Sequence, residues 1–169
     1  MRMFESFVLT SKRDKANQFL KAIKAEVPGW RDELDRDFLD YMMLSESAPN
    51  HSNDILEVIY AEILLPMMAG NYIILRDGDK AVAYASWGFF SKEVSNNKLT
   101  ARRSLLTKDD YDTGREIWLM DVIAPHGHAK QIIAELVKRK HDLGLHDDRI
   151  HFRRSYAQQR SQRFNSSIC

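Results

Sequence analysis

Cysteine is almost absent from this chain: one occurs among 169 residues, Cys169 at the end. No intrachain disulfide can form and no thiolate cluster is available for zinc, which excludes a disulfide-stapled scaffold and suits a reducing compartment. Excess charge of one sign is missing too. Lys and Arg total 25 against 24 Asp and Glu, a formal net charge of +1. That balance argues against a protein that is basic throughout, although charge can be segregated locally. No apolar run reaches the roughly 18 residues a membrane helix needs, and the opening MRMFESFVLTSKRDK has no apolar stretch suited to a secretory leader. A soluble cytoplasmic protein is expected, without a membrane span.

What remains is an ordinary globular balance, 44% hydrophobic and 29% charged, in a chain long enough for one domain with a core. Phe19, Leu20, Ile23 and Val27 fall at helical spacing, and Pro28-Gly29 breaks that segment. Leu34, Phe38, Leu39, Met42 and Met43 predict a second amphipathic helix. The polar stretch SESAPNHSN then holds Pro49 and His51, and Asp54 is placed to cap a helix carrying Ile55, Val58, Ile59, Ile63 and Leu64 that stops near Pro66. Tyr72–Leu75 and Ala81–Trp87 read as a β-hairpin around Asp77-Gly78. A strand over 117–124, a helix over Ala129–Leu143 and a short strand over Arg149–Phe152 complete the pattern, and an Arg/Gln-rich stretch over 153–169 reads as a mobile tail. The order predicts a mixed α/β domain around a largely antiparallel sheet.

Two features carry chemistry. The run Ile117–Ala124 reads as a buried strand yet contains Asp121. A buried carboxylate is costly unless it is paired, hydrogen-bonded or functional. Directly after it, Pro125 and Gly127 break the run and a helix begins. A strand, a glycine loop and a helix N-terminus can bind phosphate through free N–H groups, with His126, His128 and Lys130 as further donors. The same arrangement is also an ordinary chain reversal. Two histidines at a spacing of two place no third metal ligand, so no metal site is expected.

Five short motifs in order give the chain a family resemblance. They are Ser47-Ala48-Pro49-Asn50-His51, Leu65-Pro66, the strand Asn71–Asp77, its partner Val82-Ala83-Tyr84-Ala85-Ser86-Trp87, and Trp118, Asp121, Ile123, Ala124, Pro125 and Gly127. Over roughly residues 44–140 the chain resembles the RTX toxin-activating lysine acyltransferases, the hemolysin-activating family. That resemblance implies a GNAT-like acyltransferase fold over 44–152, with 1–43 as an extra helical N-terminal extension. It implies transfer of a fatty acyl group from acyl carrier protein to internal lysines of an RTX-type protoxin, with no bound cofactor and a dimer as an admissible state. His51 and Asp121 match the implied catalytic residues. Three positions depart from the family pattern: Ala48 stands for a frequent serine, Asn50 for a usual leucine and Gly88 for a usual alanine.

The chemistry suits those residues. A lysine amine, with an ordinary pKa near 10.4, is neutral in only about one molecule in 10³–10⁴ at pH 7, and only the neutral form attacks a thioester. Histidine is the side chain best matched to the base this requires. Asp121 could orient the His51 ring or act on the lysine ammonium itself. His51 could serve as general base or as a nucleophile forming an acyl-imidazole. For the donor, Gly127, His128 and Lys130 are expected near its phosphate, Trp87 beside the acyl chain, and Lys130, Lys138, Arg139 and Lys140 on a basic surface for acidic carrier protein. Competing readings are an acetyl-CoA-dependent N-acetyltransferase on the same fold, and an inactive paralogue or binding module whose Arg-rich tail contacts nucleic acid. The single glycine of the loop counts against the first, and the lack of any other basic face interleaved with aromatics counts against nucleic acid.

Overall fold

Apolar residues three and four apart place the first helix. The computed structural model describes residues 12–48, 59–100, 106–144 and 149–152. Helix α1 (Lys12–Glu26) buries Leu20 and Ile23, with Val27 buried just beyond its end. A 3₁₀ turn, Asp32–Leu34, leads into α2 (Asp35–Glu46). The buried stripe of α2 runs through Phe38, Tyr41 and Leu44. Met43, expected on the packing face, is therefore turned outward and is 41% exposed. Phe38 joins the two helices, with its ring 6.0 Å from Phe19 and 5.6 Å from Trp30.

The expected cap at Asp54 and the first turn of its helix lie outside the described residues, as does the Arg/Gln-rich stretch after Phe152. From Ile59 the chain is helical, passing through a π-helical turn, Tyr60–Leu64, into α3 (Leu65–Ala69). The hairpin then forms from β1 (Tyr72–Asp77) and β2 (Lys80–Phe90). Its turn is centred one residue later than expected. Asp77 pairs with Lys80, and Gly78-Asp79 makes the reversal, with Gly78 at φ +59°.

Strand β3 (Glu116–Ile123) pairs antiparallel with β2, and β4 (Ile150–Phe152) pairs parallel with β3, giving the order β1-β2-β3-β4. Parallel neighbours need a crossover, and α4 (Ala129–Asp142) supplies it. The result is a mixed, largely antiparallel sheet with helices on both faces, a GNAT-like α+β fold. Among the described residues no helix is long and apolar enough to cross a membrane.

Alternation along the strands sorts the core into layers. Tyr84 and Ala81 of β2 and Ile123 of β3 pack with Leu20, Ile23, Phe38, Tyr41 and Leu64 from the helices of one face. Ala83, Ala85 and Trp87 pack with Ile132 and Leu136 of α4 on the other. Burying one Leu, Ile or Phe side chain is worth about 1.5–3 kcal/mol, so both layers hold the sheet. The N-terminal helices thus share the sheet's own core. At the rim, Arg76 of β1 donates to Asp37 and, at 2.7 Å, to Asp40 of α2, and Tyr72 donates to Asp37. These part-buried bonds fix α2 against β1. Burial first, then the Asp37 carboxylate, pushes the Tyr72 phenol well above its ordinary value.

Beside β2, Phe90, Leu99, Leu106, Trp118 and Met120 form a third cluster. Gly88 explains its packing: a Cβ there would come within 2.5 Å of the Phe90 ring and 2.8 Å of Tyr111. The glycine that departs from the family pattern therefore makes room for the contact between Phe90 and Tyr111, whose ring centroids are 5.0 Å apart. The loop before β3 is built on Asp110. Its carboxylate accepts from Lys98 at 2.6 Å and from the Thr107 N–H and hydroxyl at 2.7 and 2.9 Å. Burial opposes ionisation of Asp110, but the Lys98 ammonium and the Thr107 donors outweigh it and hold the carboxyl below its ordinary range.

Gly88→Ala should lower stability by about 1–3 kcal/mol through overpacking, read from the denaturant midpoint. A depressed folded-state value means that Asp110 stabilises the fold above the unfolded carboxylate value of about 4, and that this contribution is lost as pH falls through the folded value. Asp110→Asn should therefore unfold at lower denaturant than the parent at pH 7, with the gap closing in titrations carried below about pH 4.

Candidate active site

Pro66 sets up the first wall of the site. In an α-helix its N–H would serve the Glu62 carbonyl, and in a π-turn the Ala61 carbonyl, but proline has no N–H. Leu65 N–H bonds to Tyr60 O, five residues back, so it does not serve Ala61 either. Side chains from elsewhere take both places. Ser86 Oγ of β2 donates to Glu62 O at 3.1 Å, and the Tyr111 hydroxyl donates to Ala61 O. The helical turn is thereby fastened to the sheet and to the loop before β3. Burial first, then the charges of Asp110 and Asp112, pushes the Tyr111 phenol well above its ordinary value, so it remains a donor.

The second wall is β3, where pairing with β2 slips by one. Ser86 faces Asp121, but Trp87 faces Leu119, which leaves Met120 as an extra residue. The bulge changes which way the strand points. Ile117, Leu119 and Val122 pack toward α4, whereas Trp118 and Met120 pack against Ala61 on the helical face and Ile123 joins the core of α1 and α2. Asp121, paired with Ser86 and two residues from Ile123, lies on this helical face. It is part-buried, and its Oδ1 accepts the Val122 N–H at 2.8 Å. Tyr84, two residues before Ser86 on the same face, is fully buried, 4.9 Å from the Tyr41 ring.

Of the residues expected to act, Asp121 sits in this wall, and His51 lies outside the described residues. Of the donor-side candidates, Gly127, His128 and Lys130 follow the end of β3. Gly127, at φ +88°, has nothing within 4 Å of where a Cβ would stand, so its backbone is open to approach. His128 precedes α4 and accepts from Ile132 N–H through its carbonyl, and its ring Nδ1 is buried without a hydrogen-bond partner among the described residues. Lys130 and His126 are exposed. Trp87 is 3% exposed, packed between β2 and α4 in the core. Lys138 and Arg139 are exposed in the last turns of α4, with Lys140 part-buried.

The described part of β4 pairs with β3 only along Ile117–Leu119. The last described residue of β4, Phe152, faces Leu119, and the Gly127 loop follows the end of β3. Sequence reasoning overlooked Ser86, Tyr84, Tyr111 and the two main-chain carbonyls. The available signals were the two-residue strand period that puts Tyr84 and Ser86 on one face, and the missing donor at Pro66.

Fold and site define a GNAT-like framework with a carboxylate set into its central strands. The chain belongs to the RTX toxin acyltransferase family, whose pattern matches residues 38–165. The match extends beyond the 44–140 expected from motifs, into α2 and past β4. Similar proteins include the lysine-acyltransferase RtxC of Vibrio cholerae serotype O1, 24% identical over 99 residues that cover 58% of this chain and 64% of RtxC. The protein-lysine myristoyltransferase HlyC of Escherichia coli is 33% identical over 81 residues, 48% of this chain and 47% of HlyC. The protein-lysine palmitoyltransferase CyaC of Bordetella bronchiseptica is 30% identical over 79 residues, 47% of this chain and 42% of CyaC. The chain thus spans about half of the curated relatives it matches, and less than two thirds of any of these.

Removing either side-chain donor leaves a main-chain carbonyl unpaired. Ser86→Ala and Tyr111→Phe should each lower stability by about 1–3 kcal/mol in denaturant unfolding, the range for a part-buried group that loses its partner.

Proposed function

We propose that this chain transfers a fatty acyl group from acyl carrier protein to lysine side chains of an RTX-type protein, with Asp121 and His51 as the acting pair. The observation that carries the proposal is the placement of Asp121. A family match over residues 38–165 coincides with a carboxylate turned by a bulge onto the helical face of the sheet, opposite Ser86 of β2. RtxC, HlyC and CyaC are named as lysine acyltransferases, which supports the reaction class.

In the reaction, the neutral lysine amine attacks the thioester carbonyl carbon. The new N–C bond forms as the C–S bond breaks, the amine proton passes to the base and then to the departing thiolate, and the products are an amide and a free thiol. His51 takes the proton, and Asp121 stabilises the imidazolium and fixes the ring. In the variant route, His51 attacks first and an acyl-imidazole acylates the lysine. The donor's phosphate approaches the open backbone at Gly127 and His128, with Lys130 adding charge, and Trp87 supports this edge through its packing against α4. Lys138, Arg139 and Lys140 provide the basic surface for an acidic carrier.

The test is acyl transfer from purified long-chain acyl carrier protein, followed by intact-mass spectra of carrier, enzyme and a lysine-bearing acceptor. The parent protein should discharge the carrier, and His51→Ala and Asp121→Asn should each slow transfer by about 10²-fold or more while remaining folded. An adduct on His51 selects the acyl-imidazole route. Use of acetyl-CoA with an untouched carrier would replace the donor assignment, and transfer at parental rate in both variants would overturn the pair.

A further inference from the structure

Three of the hydroxyls near Tyr84 donate to an acceptor. Ser86 donates to Glu62 O, Tyr111 to Ala61 O and Tyr72 to Asp37. Tyr84 differs. It is fully buried, and its hydroxyl has no hydrogen-bond partner among the described residues. The Ser86 hydroxyl lies close enough to favour the phenolate, but the two do not reach hydrogen-bonding geometry, and the Ser86 proton is already engaged by the Glu62 carbonyl.

The sheet register says what Tyr84 faces. Its direct partner across β2 and β3 is Ile123, so Asp121, two residues back along β3, is its diagonal neighbour on the same face. Diagonal pairs lie within reach of an aromatic side chain. Tyr41 of α2 and Tyr72 of β1 close over the ring, and Tyr111 approaches from the loop before β3. Asp121 is a carboxylate whose charge bears on Tyr84.

We propose that Tyr84 is a positioning residue for Asp121: its buried O–H dipole holds the carboxylate in the orientation that acyl transfer requires. This inference rests on the reading of Asp121 as an acting residue. Burial above all, with the Asp121 charge adding to it, pushes the Tyr84 phenol well above its ordinary value. The group therefore stays a neutral donor through the working pH range and takes no proton from the reaction. Tyr84 does not touch substrate, and its influence passes through Asp121. The hydroxyl makes no hydrogen bond to a described residue, so it acts on Asp121 as a dipole through space, and in so dry a place little water screens it.

A double-substitution cycle on the full chain tests this: parent, Tyr84→Phe, Asp121→Asn and both together. The phenylalanine keeps the ring and its packing and removes only the hydroxyl. In denaturant unfolding, the midpoint shift caused by Tyr84→Phe should shrink to about half or less once Asp121 is Asn, since coupled groups give non-additive effects. Equal shifts in both backgrounds would overturn the inference, whatever the activity shows. In acyl transfer, Tyr84→Phe should lower kcat a few-fold at unchanged KM and should have no further effect on Asp121→Asn. Should Asp121→Asn keep full activity, the catalytic reading of Asp121 fails instead, and the unfolding cycle still decides whether the two side chains interact.

Discussion

One extra residue in β3 decides where Asp121 points. With unbroken pairing, Asp121 and Leu119 would share a face, and Trp118 and Met120 would lie on the other. The slip between Ser86 and Trp87 lets Trp118, Met120 and Ile123 all pack on the helical side, while Leu119 and Val122 turn to α4. A strand can carry a carboxylate on a mainly buried face when the local kink gives that carboxylate a main-chain donor, here the Val122 N–H. The bulge therefore supplies both the direction of Asp121 and part of its hydrogen bonding.

The facing wall depends on an absent N–H. Pro66 supplies no helical N–H and the π register takes the Leu65 N–H to Tyr60, which leaves two carbonyls without helical donors, and Ser86 and Tyr111 replace them from the sheet and from the loop before β3. The consequence is mutual. The π-helical turn is tied to β2 at the residue that pairs with Asp121, so the position of the helical layer and the register of β2 against β3 are set together. Gly88, Phe90 and Tyr111 continue this link, because only a residue without a Cβ admits both rings. The Asp110 cluster fixes the loop that delivers Tyr111.

Much of this was legible in the sequence, and the remainder fails for identifiable reasons. The buried stripe of α1, both hairpin strands, the strand around Asp121 and the crossover helix follow from periodicity and from sparse Gly and Pro. The bulge was not legible, because Leu-Met-Asp-Val gives no local sign of where a register slips; pairing partners decide that. The hairpin turn moved from Asp77-Gly78 to Gly78-Asp79 because Asp77 continues the ladder to Lys80. Met43 was misplaced because Met42 and Met43 cannot both lie on a face that passes through Phe38, Tyr41 and Leu44. At the site, the charge of Asp121 announced itself, whereas Ser86 and Tyr84 looked like ordinary strand residues until the register put them beside it.

The central claim is that Asp121 is turned toward the helical face in order to hold a histidine. The most direct measurement is a ¹⁵N NMR titration of the His51 ring in the full chain, with Asp121 present and with Asp121→Asn. A carboxylate partner favours the charged imidazolium, so the account predicts that the His51 midpoint falls when the carboxylate is neutralised, with the ring tautomer changing alongside. An identical titration curve and tautomer in the two proteins would contradict it.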